Sequence, residues 1–100
     1  MYIIVDAQQH RRVLVTQTYK KEASRWLPIW ANREHAQIVA DLLELPGDWE
    51  PVHMDLPPEQ IYHAITPRLT LRELYVGYVI DPGLTTERIV PITEQLPLRA

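Results

Sequence analysis

One hundred residues, 46% of them hydrophobic and 23% charged, set the scale of one ordinary globular domain and exclude disordered or collagen-like sequence. The chain has no cysteine, one serine (Ser24), three glycines and a net charge of −3. This removes disulfides, thiolate metal sites and thiol nucleophiles, leaves no glycine-rich phosphate cradle, and gives no support to capture of nucleic-acid backbones.

Tyr2–Val5 reads as a short strand and Val13–Tyr19 as a longer one rich in β-branched residues, joined by a polar hairpin loop over Asp6–Arg12. That loop lacks Asn-Gly or Asp-Gly, which favours a type I bend over a two-residue turn. In the second strand Val13, Val15 and Tyr19 share one face, and Leu14, Thr16 and Thr18 the other. After the polar link Lys20–Arg25, the run Trp26-Leu27-Pro28-Ile29-Trp30-Ala31 is apolar on both faces and predicts a strand covered on both sides. Pro28 lacks a donor, which places it at an edge, a bulge or a position outside the ladder.

Asn32 is a good N-cap for a helix over Arg33–Leu45. Its apolar residues Ala36, Val39, Ala40 and Leu43 recur at helical spacing, and Ile38, Leu42 and Leu45 widen the stripe. Pro46-Gly47 stops it. Trp49–Met54 reads as a short edge strand interrupted by Pro51. Pro58 and Glu59 open a second helix with Ile61, Ala64 and Ile65 on its apolar side. Thr66-Pro67 argues against its continuation, and Arg68–Glu73 reads as a further helical turn or an irregular link. Leu74–Ile80 is a near-continuous apolar run, the mark of a central strand. Asp81-Pro82-Gly83 is a turn, and Glu87–Ile92 returns as a last strand that forms a hairpin with the preceding one. The reading is one domain over 1–92 and a loosely held tail over 93–100.

The stretch Leu27-Pro28-Ile29-Trp30-Ala31-Asn32-Arg33-Glu34-His35-Ala36 resembles the central motif of a small bacterial domain-of-unknown-function family: a Leu-Pro-aliphatic-aromatic strand, a short turn and a capped helix. The likeness continues through Trp49, the second helix and the Val-Gly-Tyr-Val strand with its Asp-Pro-Gly turn, over about residues 13–92. A more distant similarity is to the N-terminal domain of the SseB family. The short N-terminus and Pro67 depart from both patterns. The resemblance implies a fold and carries no activity.

Little chemistry stands out. His10, His35, His53 and His63 include no helical i, i+4 pair, whereas a metal site needs three or four converging ligands, so no metal or cofactor is expected. Ser24 lacks the glycines of a nucleophile elbow. The basic groups His10-Arg11-Arg12 and Lys20-Lys21 lie at opposite ends of the second strand and make no continuous stripe. Asp41, Glu44, Asp48 and Glu50 cluster at the end of the first helix as a solvated acidic rim able to dock a basic partner. With no phenylalanine, the chain relies on Trp26, Trp30 and Trp49 for bulk, and Trp26 or Trp49 beside polar loops is a candidate interface anchor.

The expected fold class is therefore α+β, in the order β-β-β-α-β-α-β-β: a mainly antiparallel sheet of five or six strands with two helices on one face. The expected function is a non-enzymatic cytoplasmic protein–protein interaction domain, regulatory or immunity-like, with no nucleic-acid or membrane partner. Its surface is an exposed strand edge with Trp26, Trp49, Asp41, Glu44, Asp48 and Glu50, and a homodimer through a strand edge or apolar sheet face is one form of it. The alternative is a small-molecule sensor or enzyme with a pocket between the sheet and the second helix, built from His53, Asp55, Tyr62 and His63.

Overall fold

A computed structural model describes residues 1–8, 12–18, 24–83 and 89–95. The expectations placed on His10, Arg11, Tyr19, Lys20, Lys21, Glu87 and Arg88, and on 96–100, lie outside these residues. The elements follow the expected order: β1 (Tyr2–Asp6), β2 (Arg12–Thr18), β3 (Arg25–Ile29), α1 (Arg33–Leu42), β4 (Trp49–His53), α2 (Pro58–Ile65), β5 (Tyr75–Ile80) and β6 (Ile89–Gln95). The fold is α+β, with a mixed, mostly antiparallel six-stranded sheet. Two single 3-10 turns, Thr66–Arg68 and Arg72–Leu74, link α2 to β5. Among the described residues, no helix is long and apolar enough to cross a membrane.

The strands run in the order β4-β1-β2-β3-β5, and β6 lies along β2 from Thr18↔Ile89 to Arg12↔Gln95. Strand β6 thus holds one whole edge of β2, and β1 and β3 must share the other. Strand β1 meets β2 at Val5↔Val13, and β3 meets it at Gln17↔Arg25 and Thr16↔Trp26. The ladder to β3 stops at the residue before Leu27-Pro28. The Thr18 N–H donates to the Ser24 carbonyl (2.9 Å), so even-numbered residues of β2 face β3. By the same alternation Trp26 and Pro28 face β2, and Pro28 has no N–H to offer there. Beyond it β3 swings to β1, where Tyr2 and Trp30 exchange two hydrogen bonds of 2.7 and 2.9 Å.

Ile3, Ile4, Val5 and Asp6 are all buried, as are Val13, Leu14 and Val15. Successive strand residues point to opposite faces, so both faces of the sheet need a cover. The two helices supply it on opposite sides, which corrects the expectation of two helices on one face. Ile61 and Ile65 of α2 pack with Ile3, Val5, Val13, Val15, Leu27 and Ile29. Ala36 and Ala40 of α1 pack with Ile4, Leu14, Trp30 and Trp49, flanked by Val39 and Leu43. The two small alanines let the helix come close to the sheet.

Three further expectations change. Helix α1 ends at Leu42, and Ile38 and Leu42 stand 55% and 61% exposed, outside the buried stripe. Strand β5 is an edge strand, parallel to β3, and forms no hairpin with β6. Strand β6 continues through Thr93–Gln95, so the expected tail begins inside the sheet. The caps hold as read: Asn32 Oδ1 accepts from the N–H of Glu34 (2.7 Å), and Pro58 opens α2.

One buried cluster fastens the α1–β4 loop to the first hairpin. Asp6, 2% exposed, accepts from the N–H groups of Gln8 (3.0 Å) and Asp48 (3.2 Å) and pairs with Arg12 at 3.1 Å. Arg12 stacks on Trp49 (5.3 Å) and donates to the Pro46 carbonyl (3.1 Å). Gly47 closes the loop with φ +139°, and a Cβ there would meet Asp6 Oδ2 and Trp49 Nε1 at 3.1 Å. Gly47→Ala is expected to lose about 1–3 kcal/mol through forced φ and contact. The urea midpoint of unfolding measures it, and an unchanged midpoint would mean the loop relaxes freely.

Candidate functional site

Among the described residues the sheet has three open edges: the outer sides of β4, β5 and β6. Open edges invite other strands unless something blocks them. Met54 donates to the Met1 carbonyl (2.8 Å), so odd-numbered residues of β1 bond to β4. Ile4↔Pro51 is then a widely spaced pair, and Pro51 turns its nitrogen outward. Even-numbered residues of β2 face away from β6, so Thr16↔Pro91 is also a widely spaced pair. Pro91 likewise turns its nitrogen to the outside. Each of these edges lacks one outward N–H at its centre.

Strand β5 has neither a proline nor a charge. Asp81 donates to the Ile29 carbonyl (2.8 Å), so odd-numbered residues face β3, while Tyr78 and Ile80 turn N–H and C=O outward. Their side chains are 36% and 40% exposed, and Val76 is 56% exposed. Val76 is the extra residue of a bulge, since Tyr75 pairs with Arg25 and Gly77 with Trp26. Gly77 is needed because the Trp26 ring lies over it: a Cβ would sit 3.1 Å from Trp26 Cζ3. The edge is held at its far end by the Asp81-Pro82-Gly83 turn. Asp81 has φ +50°, its carboxylate accepts from Ala31 N–H (3.0 Å), and Trp30 Nε1 donates to the Pro82 carbonyl (3.2 Å).

The expected interface residues do not gather at one place. Trp49 is buried and belongs to the core, its indole N–H spent on the Leu45 carbonyl (3.3 Å). It is withdrawn as an interface anchor, because α1 and Arg12 cover it. Trp26 is half-buried beside β5, with its indole N–H buried and unpaired. Asp41, Glu44 and Asp48 are exposed and Glu50 is half-buried. They lie where α1 packs on β4, at the opposite end of the sheet from β5. The acidic rim therefore accompanies an edge that Pro51 blocks.

The alternative pocket also divides. His53 is exposed and packs edge-on against Tyr2 (5.3 Å), and Asp55 is exposed nearby in the link to α2. Tyr62 and His63 do meet, with Thr66, Pro67 and Arg72, around an open cleft at the end of α2. A second open groove lies between α1 and the 81–83 turn, over Trp30. His35 lines it. Among the described residues no three His, Asp or Glu side chains come together in a way that could hold a metal ion. Ser24 meets the Thr18 hydroxyl through its backbone, its N–H donating to Thr18 Oγ1 (3.1 Å) and its carbonyl accepting from it (3.4 Å).

Sequence reasoning missed one buried ionisable group of residues. Arg25 of β3 pairs with Glu94 of β6, and the Tyr75 hydroxyl of β5 lies 3.5 Å from the same carboxylate. Arg25 also donates to Gln17 Oε1 (3.1 Å). Burial, and then the Glu94 charge, hold the Tyr75 hydroxyl well above the usual phenol range. The three residues tie β3, β5 and β6 together on α2's side of the sheet.

No family model, curated protein or solved structure matches the chain.

Because Tyr75 is raised on folding, its contribution to stability is complete below the ordinary phenol value of about 10 and is lost as pH rises above it. Thermal melts between pH 8 and 11 should fall on the alkaline side, and the fall should be smaller in Tyr75→Phe. Absorbance at 295 nm should show one of the five tyrosines ionising only as the protein unfolds. Ionisation of all five below the unfolding pH would contradict this.

Proposed function

We propose that the chain is a non-enzymatic interaction domain that takes an extended segment of a partner protein onto the outer edge of β5. The observation that carries this reading is the difference between the three open edges. Strands β4 and β6 each turn a proline nitrogen outward, whereas β5 offers its outward N–H and C=O groups at Tyr78 and Ile80. Strand addition draws its affinity from such backbone pairs and its selectivity from alternate side chains.

The partner segment is uncharged and extended, with a β-branched or aromatic residue at every second position. Those side chains rest on Tyr78 and Ile80, while Trp26 and Gly77 border the other face. A second copy of β5 meets the same description, so self-pairing is a form of the same contact. The lack of cysteine fits a reducing cytoplasm, and a regulatory or immunity-like role suits a domain acting by contact alone.

Tyr78→Pro disables this edge while sparing the ladder to β3, because the N–H it deletes points away from β3; it also removes the Tyr78 ring on which the segment rests. A random peptide-display library panned against the intact chain should return alternating, uncharged, extended sequences. Peptide affinity should fall about tenfold in Tyr78→Pro, through the lost backbone hydrogen bond and the lost Tyr78 contact together. Selection of charged or helical peptides, or binding indifferent to Tyr78→Pro, would remove β5 as the docking element.

A further inference from the structure

When an edge strand meets its own copy, symmetry and hydrogen bonding together restrict how the two can lie. Antiparallel strands satisfy a two-fold axis with every outward group paired. Parallel strands need a bonding residue opposite a non-bonding one, which the two-fold forbids. The outward groups of β5 then choose the register. Tyr78 and Ile80 turn N–H and C=O away from β3, so a hydrogen-bonded pair has to join these residues. Ile80 opposite Ile80 would set Tyr78 against Pro82, which has no N–H. Tyr78 opposite Tyr78 would set Ile80 against Val76, the extra residue of the bulge. Tyr78 opposite Ile80 engages both residues of both copies in the regular part of the strand.

The side chains agree with that register. Tyr78 and Ile80 stand level with Leu27 and Ile29, on α2's side of the sheet. Each Tyr78 ring would face an Ile80, an aromatic–β-branched pair, with Tyr62 already 6.0 Å from the Tyr78 ring. On the other side Val79 would face Val79 on the axis, as a widely spaced pair with Cα atoms about 4.5 Å apart. Asp81 would stand opposite Gly77, and its carboxylate already accepts from the Ala31 N–H, so no like charges meet. The other two open edges are not self-complementary in this way. Strand β4 carries Glu50 and His53 beside Pro51, and β6 carries Glu94 beside Pro91.

We infer, on the reading of β5 as the docking edge, that its resident partner is a second copy of this chain. The two copies form a two-fold dimer with Tyr78 opposite Ile80 and Val79 on the axis. One strand edge makes a small interface, in the class below about 1,200 Å² in total that forms transient complexes. The dimer therefore parts on dilution, and an extended segment of another protein displaces the second copy.

Sedimentation velocity of the full chain from about 5 μM to about 1 mM should show a sedimentation coefficient that rises with concentration toward that of a dimer. Tyr78→Pro should stay monomeric throughout. So should Ile80→Lys, which keeps every backbone group and places a charge on the edge. Because the chain has no cysteine, a single introduced one reports the register. In a glutathione redox buffer Val79→Cys should form a disulfide-linked dimer several-fold faster than Tyr78→Cys, and faster than Ile38→Cys on the exposed side of α1. Faster linkage through Tyr78→Cys would overturn the register. A dimer that survives both Tyr78→Pro and Ile80→Lys would overturn the inference by placing the contact elsewhere. A chain still monomeric at about 1 mM that captures extended peptides at β5 would overturn self-pairing and leave the docking edge standing. A monomer that captures none would end both.

Discussion

A strand has two edges, and β2 serves three neighbours, so the placement of β1 and β3 along its inner edge decides the rest of the molecule. Pro28 is where the sharing is arranged. It directs a nitrogen without a proton toward β2, the ladder ends at Trp26, and β3 is released to reach β1 at Trp30. Everything outside this junction follows its geometry. Strand β4 lines up along β1 over five residues, and β5 lines up along β3. Arg25 at the root of β3 comes within reach of Glu94 and Tyr75. Pro28 is fully buried, and the missing N–H falls where the ladder to β2 has already ended.

The same residue type thus has two uses, separated only by the alternation of backbone groups. Pro28 points its missing donor inward and splits a ladder. Pro51 and Pro91 point theirs outward and leave their own ladders intact, with continuous registers over five and seven pairs. All three fall on widely spaced or unpaired positions, which is why the sheet tolerates them. A proline one residue earlier or later in β4 or β6 would strike the inner ladder. The periodicity that sets burial also sets which edge a proline disables.

Much of the fold is legible in the sequence because the signals are local. The order of elements follows from β-branched runs, from Asn32 and Pro58 at helix starts, and from the spacing of Ala36, Val39, Ala40 and Leu43. What is not local leaves no such signal. The side of the sheet that each helix covers depends on both faces of β1 and β2 needing cover, and an unbroken apolar run such as Ile3-Ile4-Val5 is compatible with several arrangements. Leu74–Ile80 reads as central because all its residues are apolar, yet the exposed set Val76, Tyr78 and Ile80 alternates like any half-wet strand. Apolar residues on the wet face hide the alternation. Arg25 and Glu94 are 69 residues apart, with Glu94 in a segment that looked like a tail, and no spacing rule joins them. For the candidate site, Tyr62 and His63 were found as helix neighbours. Thr66 and Arg72 were not, because their meeting depends on two successive 3-10 turns.

An apolar edge without proline or charge carries a cost that natural sheets usually avoid, since it pairs with any exposed strand. Strand β5 has one of the usual defences, the bulge at Val76, but only at its first residues. From Gly77 to Ile80 the register with β3 is regular, and Asp81 fixes the last turn of the strand to Ile29 and Ala31. That fixing keeps the outward groups of Tyr78 and Ile80 in line, where a frayed end would have dispersed them. Among the described residues, β5 is thus the open edge whose outward N–H groups no proline interrupts. Tyr62, which lines the cleft at the end of α2, also packs 6.0 Å from Tyr78, so one aromatic ring borders both that cleft and the open face of β5.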